Sequence, residues 1–201
     1  MDLNGLTLRD FQDRIAEKAP TPGGGAVVGV CGALAASLAT MVTRYSQGRP
    51  KAAEHEPAYR RAVEEFARAA EMFTQLAQED LLAYAALNDA MKLDKDDPAR
   101  AERMPEAVRA AVRVPMSVMA LAASLMRKYR ELAPIANPWL LSDLAIATEL
   151  TAASALAASH LVKANASLLK TFAPGDGSLA DATDLAREIT QLRGEVLALC
   201  G

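Results

Sequence analysis

The chain has 201 residues, enough for a full core in one domain, and 51% of them are apolar while only 4% are aromatic. Runs of β-branched residues with period two are absent, so the composition argues against a sheet and for helices packed through small side chains, alanine above all. A net charge of −3 gives no electrostatic reason to expect nucleic acid or a membrane surface as a partner, and Cys31 and Cys200 form no metal-ligand or disulfide pattern.

Thr7 reads as the N-cap of a short helix from Leu8 to about Ala19, with Phe11 and Ile15 one turn apart on its inner face. Pro20 ends it. The run Pro20-Thr21-Pro22-Gly23-Gly24-Gly25 follows and leads into Ala26–Thr43, where no charge appears before Arg44. Small residues recur at Gly25, Gly29, Gly32, Ala36, Ala39 and Thr43, in the alternating four–three spacing of one helix face. Such a face lets another backbone come close. The remaining faces carry Val27, Val28, Val30, Leu34, Leu38, Met41 and Val42, so the spacing predicts a central helix buried nearly all round.

Gly23, Gly24 and Gly25 admit backbone angles closed to other residues and sit where the first helical N–H groups lack partners. Those donors and the helix dipole suit an anion or a carbonyl oxygen. A tight turn that allows close helix packing explains the same glycines, and the residues alone leave both readings open. The run is neither a dinucleotide fingerprint nor a P-loop, because no strand precedes it and no Gly-Lys-Ser/Thr follows. The length of Ala26–Thr43 is borderline for a membrane span, but its Gly, Ala, Ser and Thr content and its charged flanks argue against one. With Asp2, Asp10 and Asp13 at the N-terminus and no apolar signal core there, the cytoplasm is the expected compartment.

Arg44, Arg49 and Lys51 cluster at the end of this helix, as dipole partners or as a dock for an acidic ligand. The next helix, about Pro57 to Lys92, carries Tyr59, Val63, Phe66, Ala70, Phe73, Ala77, Asp80, Tyr84, Leu87 and Met91 at four–three spacings. Asp80 stands out on that seam. A carboxylate in a core position costs several kcal/mol, on the order of a lost buried ion pair, unless it is paired or functional. A hydrogen-bonded structural Asp accounts for it equally well.

Leu93-Asp94-Lys95-Asp96-Asp97-Pro98 marks a polar break, followed by a charged helix to about Arg113 and an apolar one from Pro115 to Pro134. Asn137-Pro138 is a helix start, Asn as cap and Pro in the first turn, of a segment expected to run unbroken to Thr171. Asp143, Ala147, Leu150, Ser154, Ala157, Leu161, Ala164 and Leu168 form its expected inner stripe, with Asn165 on the border. Asp143 is thus a second carboxylate turned toward the core. In one continuous helix it lies about 33 Å from Asn165, which makes Asp80 its expected partner and places any role of Asn165 elsewhere, such as at a dimer interface. A turn at Pro174–Ser178 leads to a last helix, Leu179–Leu199. His55 and His160, the only histidines, read as non-catalytic because neither has a metal-ligand partner at helical spacing.

Taken together, these residues resemble the cyclodeaminase/cyclohydrolase family of folate enzymes, over roughly Leu8 to Lys170. The matching segments are Pro20–Gly25 with its alanine-rich helix, Gly48-Arg49-Pro50-Lys51, Asp80-Leu81-Leu82-Ala83-Tyr84, Ala111–Pro115, and Asn137 with Ser142-Asp143. The family usually has Leu-Pro-Lys where this chain has Leu93-Asp94-Lys95, and Asn-Val-x-x-Asn where it has Leu161-Val162-Lys163-Ala164-Asn165. The resemblance implies an all-α antiparallel bundle of long helices that oligomerises through helix packing, at least as a homodimer. It implies a reduced-folate substrate, hydrolysis of methenyltetrahydrofolate or cyclodeamination of formiminotetrahydrofolate, and no metal or separate cofactor. Asp80, Asp143 and Lys95 are the expected catalytic groups. Tyr84, Asn137, Ser142 and the glycines would hold the pterin and bridge, and Arg49 and Lys51 the glutamate tail. A helical module that has lost catalysis is the alternative of a different class.

Overall fold

The structure, a computed structural model, describes residues 2–201; the side chain of Lys51 lies outside the described residues. Seven α-helices make up most of it: α1 (Leu8–Ala16), α2 (Gly24–Ser46), α3 (Glu56–Lys92), α4 (Pro98–Leu132), α5 (Leu141–Ala164), α6 (Ala166–Phe172) and α7 (Ser178–Cys200). Among the described residues there is no strand. Helices α2, α3, α4 and α5 form an antiparallel ring, each packed on the next and α5 closing back on α2, while α7 lies against α4 and α5. The helices expected from the periodicity, and the all-α antiparallel bundle that the resemblance implies, are the observed fold.

Thr7 caps α1 with a full capping box, its side chain accepting from the Asp10 N–H while the Asp10 carboxylate accepts from the Thr7 N–H. The small-residue face of α2 does what its spacing predicts. Gly25, Gly29, Gly32, Ala36, Ala39 and Thr43 are all buried. An added Cβ at Gly29 would lie 2.8 Å from the Phe73 carbonyl oxygen and 2.7 Å from the Ala77 Cβ. At Gly32 it would lie 2.6 Å from the Phe73 ring. Side chains on this face would therefore force α2 and α3 apart. The rest of α2 is a correction: it is not buried all round, since Val27, Leu34 and Tyr45 are exposed along one outward face.

Two helix boundaries also differ from expectation. The segment divided at Pro115 is one helix, α4, which runs through both Pro105 and Pro115. A proline inside a helix removes one backbone hydrogen bond at a cost of about 3 kcal/mol. Burial of Val112, Val114, Pro115, Val118 and Met119 around it offsets that cost. Conversely, the long helix from Asn137 is interrupted: a 3-10 turn (Pro138–Leu140) precedes α5, and α5 ends at Asn165, whose backbone leaves helical geometry before α6 resumes. The inner stripe of α5 is only partly the one expected. Ala147 and Ser154 are buried, and Leu144, Thr148, Thr151, Ala155, Ala158 and Val162 with them, whereas Asp143 and Leu150 are half-buried and Ala157 exposed.

Register is fixed by hydroxyls. Ser154 donates to the Val28 carbonyl at 2.7 Å, tying the middle of α5 to the first turns of α2. At the other end the Asn137 N–H donates to Ser46 Oγ at 2.9 Å, and the Tyr59 hydroxyl to the Ile135 carbonyl at 2.5 Å. Helices α2, α4 and the span Pro138–Ala164 are long and apolar enough to cross a membrane by length and composition.

Candidate active site

Where α2 begins, the ring of four helices leaves a cavity of about 280 Å³. Its walls are Pro20 to Gly25 from the loop and first turn of α2, Asp80, Tyr84 and Leu87 from α3, Ala111 from α4, and Leu161, Ala164 and Asn165 from the end of α5. Asp80 comes into it because the α3 seam places it one turn beyond Ala77, at the level where α2 starts. Its carboxylate lies directly over Gly25. A Cβ at that position would stand 2.0 Å from the Asp80 carboxyl carbon, so residue 25 has no room for any side chain.

The three glycines are therefore not equivalent. None of them has a positive φ, and Gly23 is in ordinary extended backbone at φ −131°. An added Cβ meets nothing within 4 Å at Gly23 and only Leu161 at 3.8 Å, an ordinary contact, at Gly24. The expected use of backbone angles special to glycine is replaced by close approach at Gly25 alone. Below the carboxylate, the N–H groups of the first turn of α2 have no intrahelical partners, and the positive end of the helix dipole points toward it. Burial acts the other way and pushes the Asp80 carboxyl above its ordinary value of 3.8.

Asn165 lines the same cavity because the end of α5 lies against the start of α2. Its Nδ2 donates to the Leu161 carbonyl at 2.9 Å. Tyr84 is exposed at the mouth. Asn165 lies a helix length from Asp143, as expected, but shares a cavity with Asp80: the expected Asp80–Asp143 pairing is replaced because antiparallel packing of α5 on α2 brings the other end of α5 to Asp80.

The other expected residues lie elsewhere in the protomer. Asn137 sits at the far end of α2, where its Nδ2 donates to the Tyr45 carbonyl at 3.3 Å and its Oδ1 accepts from the Trp139 N–H at 3.2 Å. The Ser154–Val28 bond sets Ser142 and Asp143 about level with Ala39 on α2, roughly 20 Å of helix from Gly25, so Asp143 does not pair with Asp80 within one protomer. Arg49 precedes the short turn that follows α2 at that same far end and makes no side-chain cap there. Lys95 is exposed on the α3–α4 turn, beyond about 18 Å of helix from Asp80 to Lys92, and does not line the cavity. Among the described residues no cluster of three His, Cys, Asp or Glu side chains is arranged to hold a metal ion.

This arrangement offers one half-buried carboxyl with a raised pKa, an amide, a phenol and the first-turn backbone donors of α2 around one cavity. Burial favours the protonated form of that carboxyl, which makes it a candidate for general acid–base work.

Known proteins share this fold and sequence. The chain is 33% identical over 147 residues to mouse formimidoyltransferase-cyclodeaminase, matching 71% of this chain but 27% of that longer protein. It thus spans about a quarter of that relative's length. To the methenyltetrahydrofolate cyclohydrolase of Methylorubrum extorquens it is 29% identical over 145 residues, 70% of each chain. The crystal structure of formiminotetrahydrofolate cyclodeaminase from Thermotoga maritima superposes with a TM-score of 0.84 at 28% identity, over 98% of this chain and 96% of that one. The sequence profile of the formiminotransferase-cyclodeaminase family matches residues 7–178, and the chain belongs to that family.

Proposed function

We propose that this protein is an enzyme of folate one-carbon metabolism that hydrolyses 5,10-methenyltetrahydrofolate to 10-formyltetrahydrofolate, in the cytoplasm, as a homo-oligomer and without a metal. The observation that carries this reading is the Asp80 carboxyl, enclosed over Gly25 with Tyr84 and Asn165 around it and its pKa raised by burial. The methenyl carbon belongs to a delocalised amidinium cation and is already electrophilic. Asp80 takes a proton from water as the oxygen bonds to that carbon. The adduct then collapses, the carbon–N5 bond breaks, and Asp80 returns the proton to N5. One proton is released overall, since a cation and water give a neutral product. Before water attacks, the carboxylate also balances the cation's charge.

Cyclodeamination is a second reading, favoured by the structural match over nearly the whole chain to a formiminotetrahydrofolate cyclodeaminase. There N10 attacks the formimino carbon, the same cation forms, and the carboxyl supplies a proton to the departing ammonia. One acid–base group serves both reactions. Incubating the purified protein with methenyltetrahydrofolate should accelerate loss of its chromophore well above the uncatalysed rate, and formiminotetrahydrofolate should be assayed in parallel for ammonia release. Activity on the second substrate alone would favour cyclodeamination. Inactivity on both would leave the non-catalytic helical module as the better description.

A further inference from the structure

Asp80 stands in the cavity without a partner of its own. Among the described residues no hydrogen bond or ion pair reaches its carboxylate, and burial is the only influence that moves its pKa. Of the described residues lining the cavity, from the loop, α2, α3, α4 and α5 alike, only Asp80 and Tyr84 titrate and none carries a positive charge.

Leu161 stands at the flank of this carboxylate. A Cβ added at Gly25 would lie 2.0 Å from the Asp80 carboxyl carbon, and one added at Gly24 would lie 3.8 Å from Leu161 Cδ2. A carboxyl from α3 and an isobutyl group from α5 therefore cover neighbouring residues of the first turn of α2, whose Cα atoms are about 3.8 Å apart. Leu161 packs on the core from a half-buried position, so α5 sets its place. The other apolar walls reach the carboxylate less well: Ala111 and Ala164 end at a methyl group, and Leu87 lies two turns further along α3. An apolar side chain beside a carboxylate displaces the waters that would solvate it and gives no hydrogen bond in return, which favours the protonated form.

We propose that Leu161 is a positioning residue for the reaction: from α5 it shields the flank of the Asp80 carboxyl from water and from hydrogen-bond donors, so that the substrate is the first partner this carboxyl meets. Leu161 supplies no proton itself and acts through Asp80. The consequence for turnover rests on the folate reading above, but the consequence for the Asp80 proton does not.

Two variants open the wall and one refills it. Leu161→Ala admits water, Leu161→Asn adds an amide, and Leu161→Met restores an apolar side chain of similar volume. In protein isotope-labelled at the aspartate carboxyls, the NMR signal that Asp80→Asn removes reports the titration of Asp80 with no substrate present. Its midpoint should lie above 3.8 in the wild type and in Leu161→Met, and should fall toward 3.8 in Leu161→Ala and Leu161→Asn. With methenyltetrahydrofolate, Asp80 must be ionised to take the proton from water. The acid limb of kcat/KM should therefore move to lower pH in the two opened variants and stay in place in Leu161→Met. Either opened variant carries the test if the other fails to fold. A wild-type midpoint in the opened variants, or an equal fall in Leu161→Met, overturns the proposal. A loss of turnover that is even across pH, with the acid limb unmoved, marks a merely structural role and overturns it too. If the wild-type protein turns over neither folate, the folate reading fails, and the carboxyl titration still decides the role of Leu161.

Discussion

The two ends of α2 are built from similar residues and differ in what surrounds them. At its start, Asp80 lies over Gly25 inside a ring of four helices, and burial raises its pKa. At its end, the Asn137 N–H donates to Ser46 and the Asn137 amide is committed to capping and to the Tyr45 carbonyl, while Asp143 stands half-buried in the first turn of α5. Both carboxylates occur in stretches that look alike on a helical wheel. Both are half-buried; what separates them is that Asp80 lines the cavity at the start of α2, over Gly25, and Asp143 does not.

The largest expected effect falls on the enclosed end. Asp80→Asn should lower folate turnover by about 10²–10⁴-fold, the usual contribution of a positioned acid–base group. Its melting temperature should stay the same or rise, because the amide avoids the cost of burying a charge. The sign follows from the raised pKa. The folded protein holds the Asp80 proton more tightly than the unfolded chain, so stability falls as pH rises from about 3.8 through the folded-state value and stays lower above it. The stability gap between Asp80→Asn and wild type should open across that window. A gap that closed with rising pH would mean that the carboxylate is held by an unseen cation.

Asn165→Ala comes next, with a loss of turnover of about 10-fold or more, in keeping with one cavity hydrogen bond to a charged or polar partner. It should leave the oligomeric state unchanged by sedimentation. Loss of assembly with normal turnover would move Asn165 out of the site.

Alanine at the three positions Gly24, Gly25 and Gly29 divides catalysis from packing. Gly25→Ala should displace the Asp80 carboxylate and cost turnover more than stability. Gly29→Ala meets backbone of α3, and overpacking of that kind costs about 1–3 kcal/mol, or about 2–4 °C in melting temperature per kcal/mol. Gly24→Ala should be close to neutral in both, since its Cβ makes only an ordinary contact with Leu161. Equal effects at all three would mean that the loop needs glycine for its backbone after all.

The smallest effect belongs to the open end. Asn137→Ala removes the side-chain cap of the turn before α5, at a cost of about 0.5–2 kcal/mol measurable by denaturant titration.

The sequence by itself determined the helices, because a three–four period of apolar and small residues has only one backbone that buries it. It also determined that α2 meets another helix through its glycine face, since Gly25, Gly29 and Gly32 have no other use at that spacing. It singled out Asp80 as a carboxylate in an apolar seam. Tertiary structure decided the rest. Pro115 reads locally as a boundary, yet packing on both sides carries α4 through it. Asn165 reads as part of a continuous helix, yet the chain breaks there, and the packing of α5 on α2 sets it in the cavity that Asp80 also lines. The inner stripe of α5 is legible only in part because alanine, serine and threonine are small enough to face either a core or a groove, so only the neighbouring helices choose between them. Which carboxylate becomes enclosed depends on contacts between residues far apart in sequence, such as Gly25 with Asp80, and no local period encodes those.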